Sequence, residues 1–297
     1  MFSFEENSLP FQVQLFLTGC HFLKFQMGER MPEINLDYAN ALTLLLPETS
    51  NVQLSLIGCG GTGSWLAPAV ARVGKLLIER FNKQVEIRFY DPDRVEEKNI
   101  WRQNFCAAEI GSNKAEALSE RYGLAWGIEI TAVETKFDRA WGSNQILIGC
   151  VDNAEARKSI SGSVYNGVTW LDCGNTKNYG QVLLGAGYGI KEPFTIPGFC
   201  GALPYPHQQH PELVKVDKKA KEKTVRQQEL SCAEMALQDS QGLSINQRIA
   251  AEAADYLVRM LITRDLKKYA TIIDLESGTA RSEYITEEAV KKYVKKN

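Results

Sequence analysis

Gly58, Gly60 and Gly63 form a G-x-G-x-x-G loop between an apolar run, Val52–Ile57, and a helical stretch beginning at Ser64. Such a loop lets backbone N–H groups and the positive end of a helix approach phosphate closely. Asp91 closes the next apolar run, Val85–Tyr90, where a carboxylate can accept hydrogen bonds from ribose hydroxyls. Loop and acid together specify a nucleotide fold and leave the nucleotide open. Arg102 and Lys114 follow, in Asn99-Ile100-Trp101-Arg102-Gln103 and Ile110-Gly111-Ser112-Asn113-Lys114-Ala115. A dehydrogenase has no use for two cations beyond the ribose acid. An enzyme that expels pyrophosphate does, because negative charge builds on the leaving group. Taken singly each residue has an ordinary reading: Lys114 as a surface lysine, Arg102 as an ion-pair partner, the glycines as a turn.

Elements must hold these residues together, and the chain punctuates them clearly. Strand-like runs at Val52–Ile57, Val85–Tyr90, Ile128–Val133, Ile146–Val151, Val168–Leu171 and Val182–Ala186 alternate with helical stretches at Ser64–Phe81, Lys114–Trp126 and Ala154–Val164. Units of this size imply βαβ crossovers and a mostly parallel sheet. The spacing predicts an α/β, Rossmann-like architecture with helices on both faces. Residues 190–231 break the rhythm with Pro193, Pro197, Pro204, Pro206, Pro211 and the charged run Lys215–Lys223. A solvated loop and a dock for an acidic partner both fit that run. A helix at Ser244–Arg264, a hairpin around Gly278 and a basic terminal helix complete the pattern. The expected division is 1–50 as an arm or small subdomain, 51–189 as the nucleotide domain, 190–242 as a long crossover loop, and 243–297 as its completion.

Composition narrows the function classes. With 297 residues, 34 Lys+Arg against 36 Asp+Glu and a formal net charge of −2, nothing calls for nucleic acid or an anionic membrane. Three histidines, His21, His207 and His210, make no histidine-rich metal site, and no G-x-S-x-G elbow is present. The seven cysteines form no C-x-x-C pair, so neither a zinc ribbon nor a thioredoxin-type motif is expected. An acidic amino terminus without a following apolar core and the lack of a membrane-length apolar run predict a cytoplasmic chain with reduced thiols.

The ordered set resembles the ThiF/MoeB family, the adenylating fold of ubiquitin-activating enzymes. The matching pieces are the loop with Gly61, Asp91-Pro92-Asp93-Arg94-Val95 through Asn99 to Arg102-Gln103, Ile110-Gly111 through Lys114-Ala115, and Asp152-Asn153-Ala154-Glu155-Ala156-Arg157. The short format and Ser231-Cys232-Ala233-Glu234 through Gln241 to Asn246 are most similar to the ThiF-family proteins of bacterial PRTRC and ubiquitination-like operons. The resemblance implies ATP and Mg²⁺ as cofactors. It gives Asp91 the ribose, Asn99 and Arg102 the phosphates, Lys114 the triphosphate and Asp152 the Mg²⁺ ion. Asn99 also reads as a turn residue and Arg157 as a helix-face arginine.

The implied reaction adenylates the terminal carboxylate of a ubiquitin-like protein, forms a thioester, and hands the acyl group to a conjugating-enzyme-like protein. A homodimer is expected. Cys232 is the first candidate for the thioester: Ser231-x-x-Glu234 is a capping box that puts its thiol at a helix amino end, where thiolate is favoured. Cys200 is second, and a chain without a catalytic cysteine is the third reading. Two departures qualify the match: the paired zinc cysteines of MoeB-like members are missing, and Arg30, the one arginine of residues 1–50, stands in no matching motif. Alternatives stay open as an adenylator of a sulfur carrier or other carboxylate without thioester, an NAD-dependent oxidoreductase, and a scaffold without turnover.

Overall fold

The computed structural model describes residues 37–294 apart from 141, 143, 166, 188 and 217–241. In chain order the strands are β1 (Thr43–Leu44), β2 (Asn51–Ile57), β3 (Gln84–Tyr90), β4 (Thr131–Val133), β5 (Gln145–Gly149), β6 (Val168–Asn175), β7 (Tyr179–Gly185), β8 (Phe199–Cys200), β9 (Lys268–Asp274) and β10 (Thr279–Tyr284). The helices are α1 (Gly61–Phe81), α2 (Lys114–Trp126), α3 (Ala154–Gly162), α4 (Pro206–Gln209), α5 (Leu243–Leu261) and α6 (Glu287–Val294).

Eight strands form one sheet in the order β10-β9-β7-β6-β5-β2-β3-β4. The block from β4 to β6 is parallel, and β7, β9 and β10 extend it antiparallel. Two core clusters separate the faces, because successive strand residues point to opposite sides. Leu54, Leu56, Ile146, Ile148 and Leu171 pack with Leu66, Val70 and Leu118, the side covered by α1, α2 and α5. Ile57, Leu147 and Trp170 pack instead with Ile160 of α3 and Tyr205 beside α4. The expected α/β sheet with helices on both faces is therefore the fold.

The chain leaves β2 for β3 and β4 on one side, then returns to β5 and β6 on the other. That reversal opens a crevice beyond the carboxyl ends of β2 and β5, the ordinary ligand position in open α/β sheets.

Helix α1 starts at Gly61 rather than Ser64 and carries Pro68 within it. Proline has no N–H to give the carbonyl four residues back. Asn104 Nδ2 takes that Ser64 carbonyl at 3.2 Å instead.

The proline-rich stretch is more ordered than its composition predicts up to residue 216. β8 pairs in parallel with β1, and Pro206 and Pro211 each open a short helical turn. Proline is suited to the first helical position, where no N–H partner exists. Gln209 Nε2 donates to the carbonyls of Leu184 and Pro204, at 2.9 and 2.7 Å, and seats the segment on β7. The expected strand at 11–17 lies outside the described residues.

Candidate functional site

The glycine loop is held by its neighbours as much as by its own flexibility. Gly58 sits at φ +88°, and a Cβ there would stand 2.7 Å from the Cys150 carbonyl. At Gly63 a Cβ would meet the Gly58 carbonyl at 1.9 Å, so Gly63 closes the turn onto α1. Gly58, Gly60 and Gly61 line a cavity of about 990 Å³, and Gly63 lies behind them.

Asp91 ends β3 inside this cavity. Its Oδ2 accepts the Cys59 N–H at 2.7 Å and its Oδ1 the Asp93 N–H at 2.9 Å. Burial pushes the carboxyl above the usual aspartate range, opposed by those two N–H groups and by the Lys114 charge. Lys114 is nearly buried and pairs with Asp93 at 3.1 Å. Asn113 makes this geometry. Its Oδ1 caps α2 by accepting from Ala115 and Glu116, and its Nδ2 donates to the carbonyls of Asp91 and Asp93. An asparagine directly before a helix-forming run was a visible cap, and it tethers Lys114 to the end of β3.

Asn99 also faces the cavity, yet its Oδ1 accepts the Glu96 N–H at 2.9 Å and so holds a turn. Arg102 and Gln103 line the same space. Three bonds fix the backbone on either side of Gln103: Trp65 Nε1 donates to the Arg102 carbonyl, the Asn104 N–H to Ser64 Oγ, and Arg121 Nη1 to the Asn104 carbonyl. Gln103 Oε1 is buried without a partner among the described residues. A buried unpaired acceptor in a cavity wall suits a site built for a ligand.

Asp152 lies exposed just beyond the end of β5 and lines the cavity, with Asn153 capping α3 beside it. Arg157, last residue of that motif, turns away. Its Nε bonds both oxygens of the fully buried Asp172 at 3.1 Å. Trp170 Nε1 lies beside the same carboxylate without the geometry of a hydrogen bond. Burial raises the Asp172 carboxyl, and Arg157 opposes the rise. Sequence reasoning did not single out Asp172, which sits in an unremarked stretch of β6.

Three further residues were missed as a group. Asn246 Oδ1 accepts from Asn175 Nδ2 at 2.7 Å and from Thr62 Oγ1 at 3.3 Å. They come from α5, β6 and α1, and no local motif joins them. Cys150 and Cys173 line the cavity floor side by side, with the Cys173 thiol raised well above its usual range by Cys150 and by burial. Cys200 is buried, donates to the Ala202 carbonyl, and has its pKa raised to about 11, so it holds little thiolate. Cys232, the first candidate, lies outside the described residues, as does Arg30.

The structure thus brings Gly58, Gly60, Gly61, Asp91, Asn99, Arg102, Lys114 and Asp152 to one cavity. The ThiF family model matches residues 43–237, well over half of the sequence. The chain belongs to the ThiF family.

This ThiF-family chain is 28% identical over 146 residues to ubiquitin-like modifier-activating enzyme 5 of Culex quinquefasciatus, covering 42% of the chain and 34% of that relative. It therefore spans about a third of the relative's length. Among solved structures, E. coli MccB with AMPCPP and MccA superposes with a TM-score of 0.53 at 16% identity, over 79% of this chain and 64% of that one. E. coli MccB with ATP gives 0.51 at 14% identity, over 79% and 63%. PaaA gives 0.50 at 16%, over 79% and 73%. These likenesses establish the fold.

Proposed function

We propose that this chain adenylates the terminal carboxylate of a small protein or peptide, using ATP. The observation that carries the reading is the convergence of the glycine loop, Asp91, Arg102, Lys114 and Asp152 on one cavity at the sheet's switch point. In this reading Asp91 holds the ribose, and the loop amides and the amino end of α1 cradle phosphate. Arg102 and Lys114 offset the charge that grows on pyrophosphate as it leaves. A carboxylate is a weak nucleophile, so holding it in line with the α-phosphorus supplies much of the rate.

Among the described residues no three His, Cys, Asp or Glu side chains converge as a metal cage. A single carboxylate beside substrate phosphates is what Mg²⁺ ordinarily uses, and Asp152 fits that role. The ion, when bound, would neutralise phosphate charge.

The finer reading is a ubiquitin-like substrate, a thioester on Cys232, transfer to a conjugating-enzyme-like protein, and a homodimer. The curated relative is named as a ubiquitin-like modifier-activating enzyme, which favours it. A peptide or sulfur-carrier substrate without thioester is favoured instead by the similarity to MccB, solved with MccA. ATP–pyrophosphate exchange with candidate partner proteins tests the coarse reading, and a reductant-sensitive adduct lost in Cys232→Ala tests the fine one. Exchange absent with every partner would overturn both. No described helix is long and apolar enough to cross a membrane.

A further inference from the structure

The cavity extends along the sheet past the strand ends that the adenylation reading gives to the nucleotide. Its wall runs from Asp91 at the end of β3, past the loop after β2 and Asp152 after β5, to Asn175 at the end of β6. Neighbouring strands stand about 4.8 Å apart, so this row spans about 14 Å. Under the adenylation reading, on which this inference rests, ribose, phosphate and metal occupy the stretch from Asp91 to Asp152. The β6 end, with α5 beside it, has no task.

Asn246 of α5 is set there with its amide N–H groups to spare. It is 3% exposed and lines the cavity. Its Oδ1 is committed to Asn175 and Thr62, which fixes the direction of the amide. The amide lies flat against the glycine loop: a Cβ added at Gly61 would stand 2.7 Å from its Oδ1 and 2.9 Å from its Nδ2. Among the described residues Nδ2 has no acceptor. The same corner holds the first turn of α1, whose leading N–H groups have no partner within the helix. The Ser64 N–H is bonded to the Gly60 carbonyl and is not among the free ones.

A neutral amide with free N–H groups, one strand beyond the metal carboxylate, suits a carboxylate oxygen better than a more highly charged phosphate. We propose that Asn246 Nδ2 holds the substrate's carboxylate by the oxygen that does not attack. The other oxygen then faces the α-phosphorus. As its bond to phosphorus forms, the bond from phosphorus to the bridging oxygen breaks and pyrophosphate leaves with the electron pair. The held oxygen becomes the carbonyl of the acyl adenylate and keeps the Asn246 bond. Thr62 and Asn175 act through Asn246 as positioning residues.

The test uses two stable nucleoside analogues and the full chain, read by calorimetry. One is 5′-O-sulfamoyladenosine; the other is 5′-O-(N-glycylsulfamoyl)adenosine, which adds the acyl carbonyl. The parent is expected to prefer the glycyl compound. Asn246→Ala is expected to lose about tenfold in affinity for it, the worth of one buried hydrogen bond, and under twofold for the unacylated one. Asn175→Ala removes the bond that orients the amide and leaves its donor, so it should lose a smaller part of the same preference. Melting temperatures of each variant report the fold. Equal weakening of both compounds, or an unchanged preference in Asn246→Ala, overturns the proposal. If Asn246→Ala does not fold, an unchanged preference in Asn175→Ala overturns it. A parent that binds neither analogue nor ATP sinks the adenylation reading itself, a different result from a parent that binds both while the variants keep its preference.

Discussion

Asp91 receives two backbone N–H bonds and still titrates above the usual aspartate range, because burial outweighs them. The raised value gives two pH effects of opposite sign. A ribose diol donates to carboxylate and not to a protonated acid, so nucleotide affinity should fall as pH drops through the raised value. Folding responds the other way: the Asp91 contribution is fully present below the unfolded value and lost as pH rises through the folded one. Calorimetry with a non-hydrolysable ATP analogue should show weakening that begins above the ordinary carboxylate range. Asp91→Asn should bind weakly and without that step. Asp172 poses a different case, since Arg157 is its partner in a buried pair. Arg157→Leu alone should cost about 3–5 kcal/mol in urea denaturation, whereas replacing both residues by apolar ones should cost far less. Asp91, Arg102, Lys114 and Asp152 were legible because each follows a strand end or helix start at motif spacing. Thr62, Asn175 and Asn246 were not, because only folding makes them neighbours.

At the scale of elements, the Arg102 segment is strapped to α1. Pro68 leaves the Ser64 carbonyl without its helical donor, and Asn104 occupies it while its own N–H reaches Ser64 Oγ. A residue that reads as a helix fault is thus the place where the cation-bearing turn attaches. Asn104→Ala should cost about 1–2 kcal/mol by urea denaturation. It should also weaken binding of an ATP analogue in calorimetry, because Arg102 loses its anchor. Should stability fall with nucleotide affinity unmoved, the strap serves folding alone. Helix α1 was readable from its repeating apolar face, Leu66, Val70, Val73 and Leu77. Its start at Gly61 was hidden, since glycines argue against a helix locally and here serve close packing. The order within 199–214 was hidden for a related reason. Prolines mark loops in a sequence, and here they open helical turns.

For the whole molecule, the alternation of strands and helices made the parallel block and its switch point legible. In the antiparallel extension, β7 was legible as a strand and β9 with β10 as a hairpin, but nothing in the sequence states which edge a hairpin joins. Burial of the thiols offers a global readout. Cys106 is exposed, Cys150 lines the cavity, and Cys59, Cys173 and Cys200 are buried. Among these five described thiols, alkylation followed site by site in a mass spectrometer should label Cys106 first. Cys150 should follow and be shielded by an ATP analogue. The three buried thiols should react only in step with global opening. Early labelling of Cys200 would show that the β1–β8 pair opens by itself.

That pair has a consequence during synthesis. Residues 42–45 give their N–H groups to the carbonyls of Ile285, Gly198, Leu266 and Cys200. They leave the ribosome well before any of those acceptors exist. At about 5–20 residues per second the wait is on the order of tens of seconds. Through that interval the nascent chain carries an apolar, unpaired stretch beside β2, which makes it a natural client of the chaperones that hold such segments. Newly made protein should therefore depend on them far more than the finished fold does.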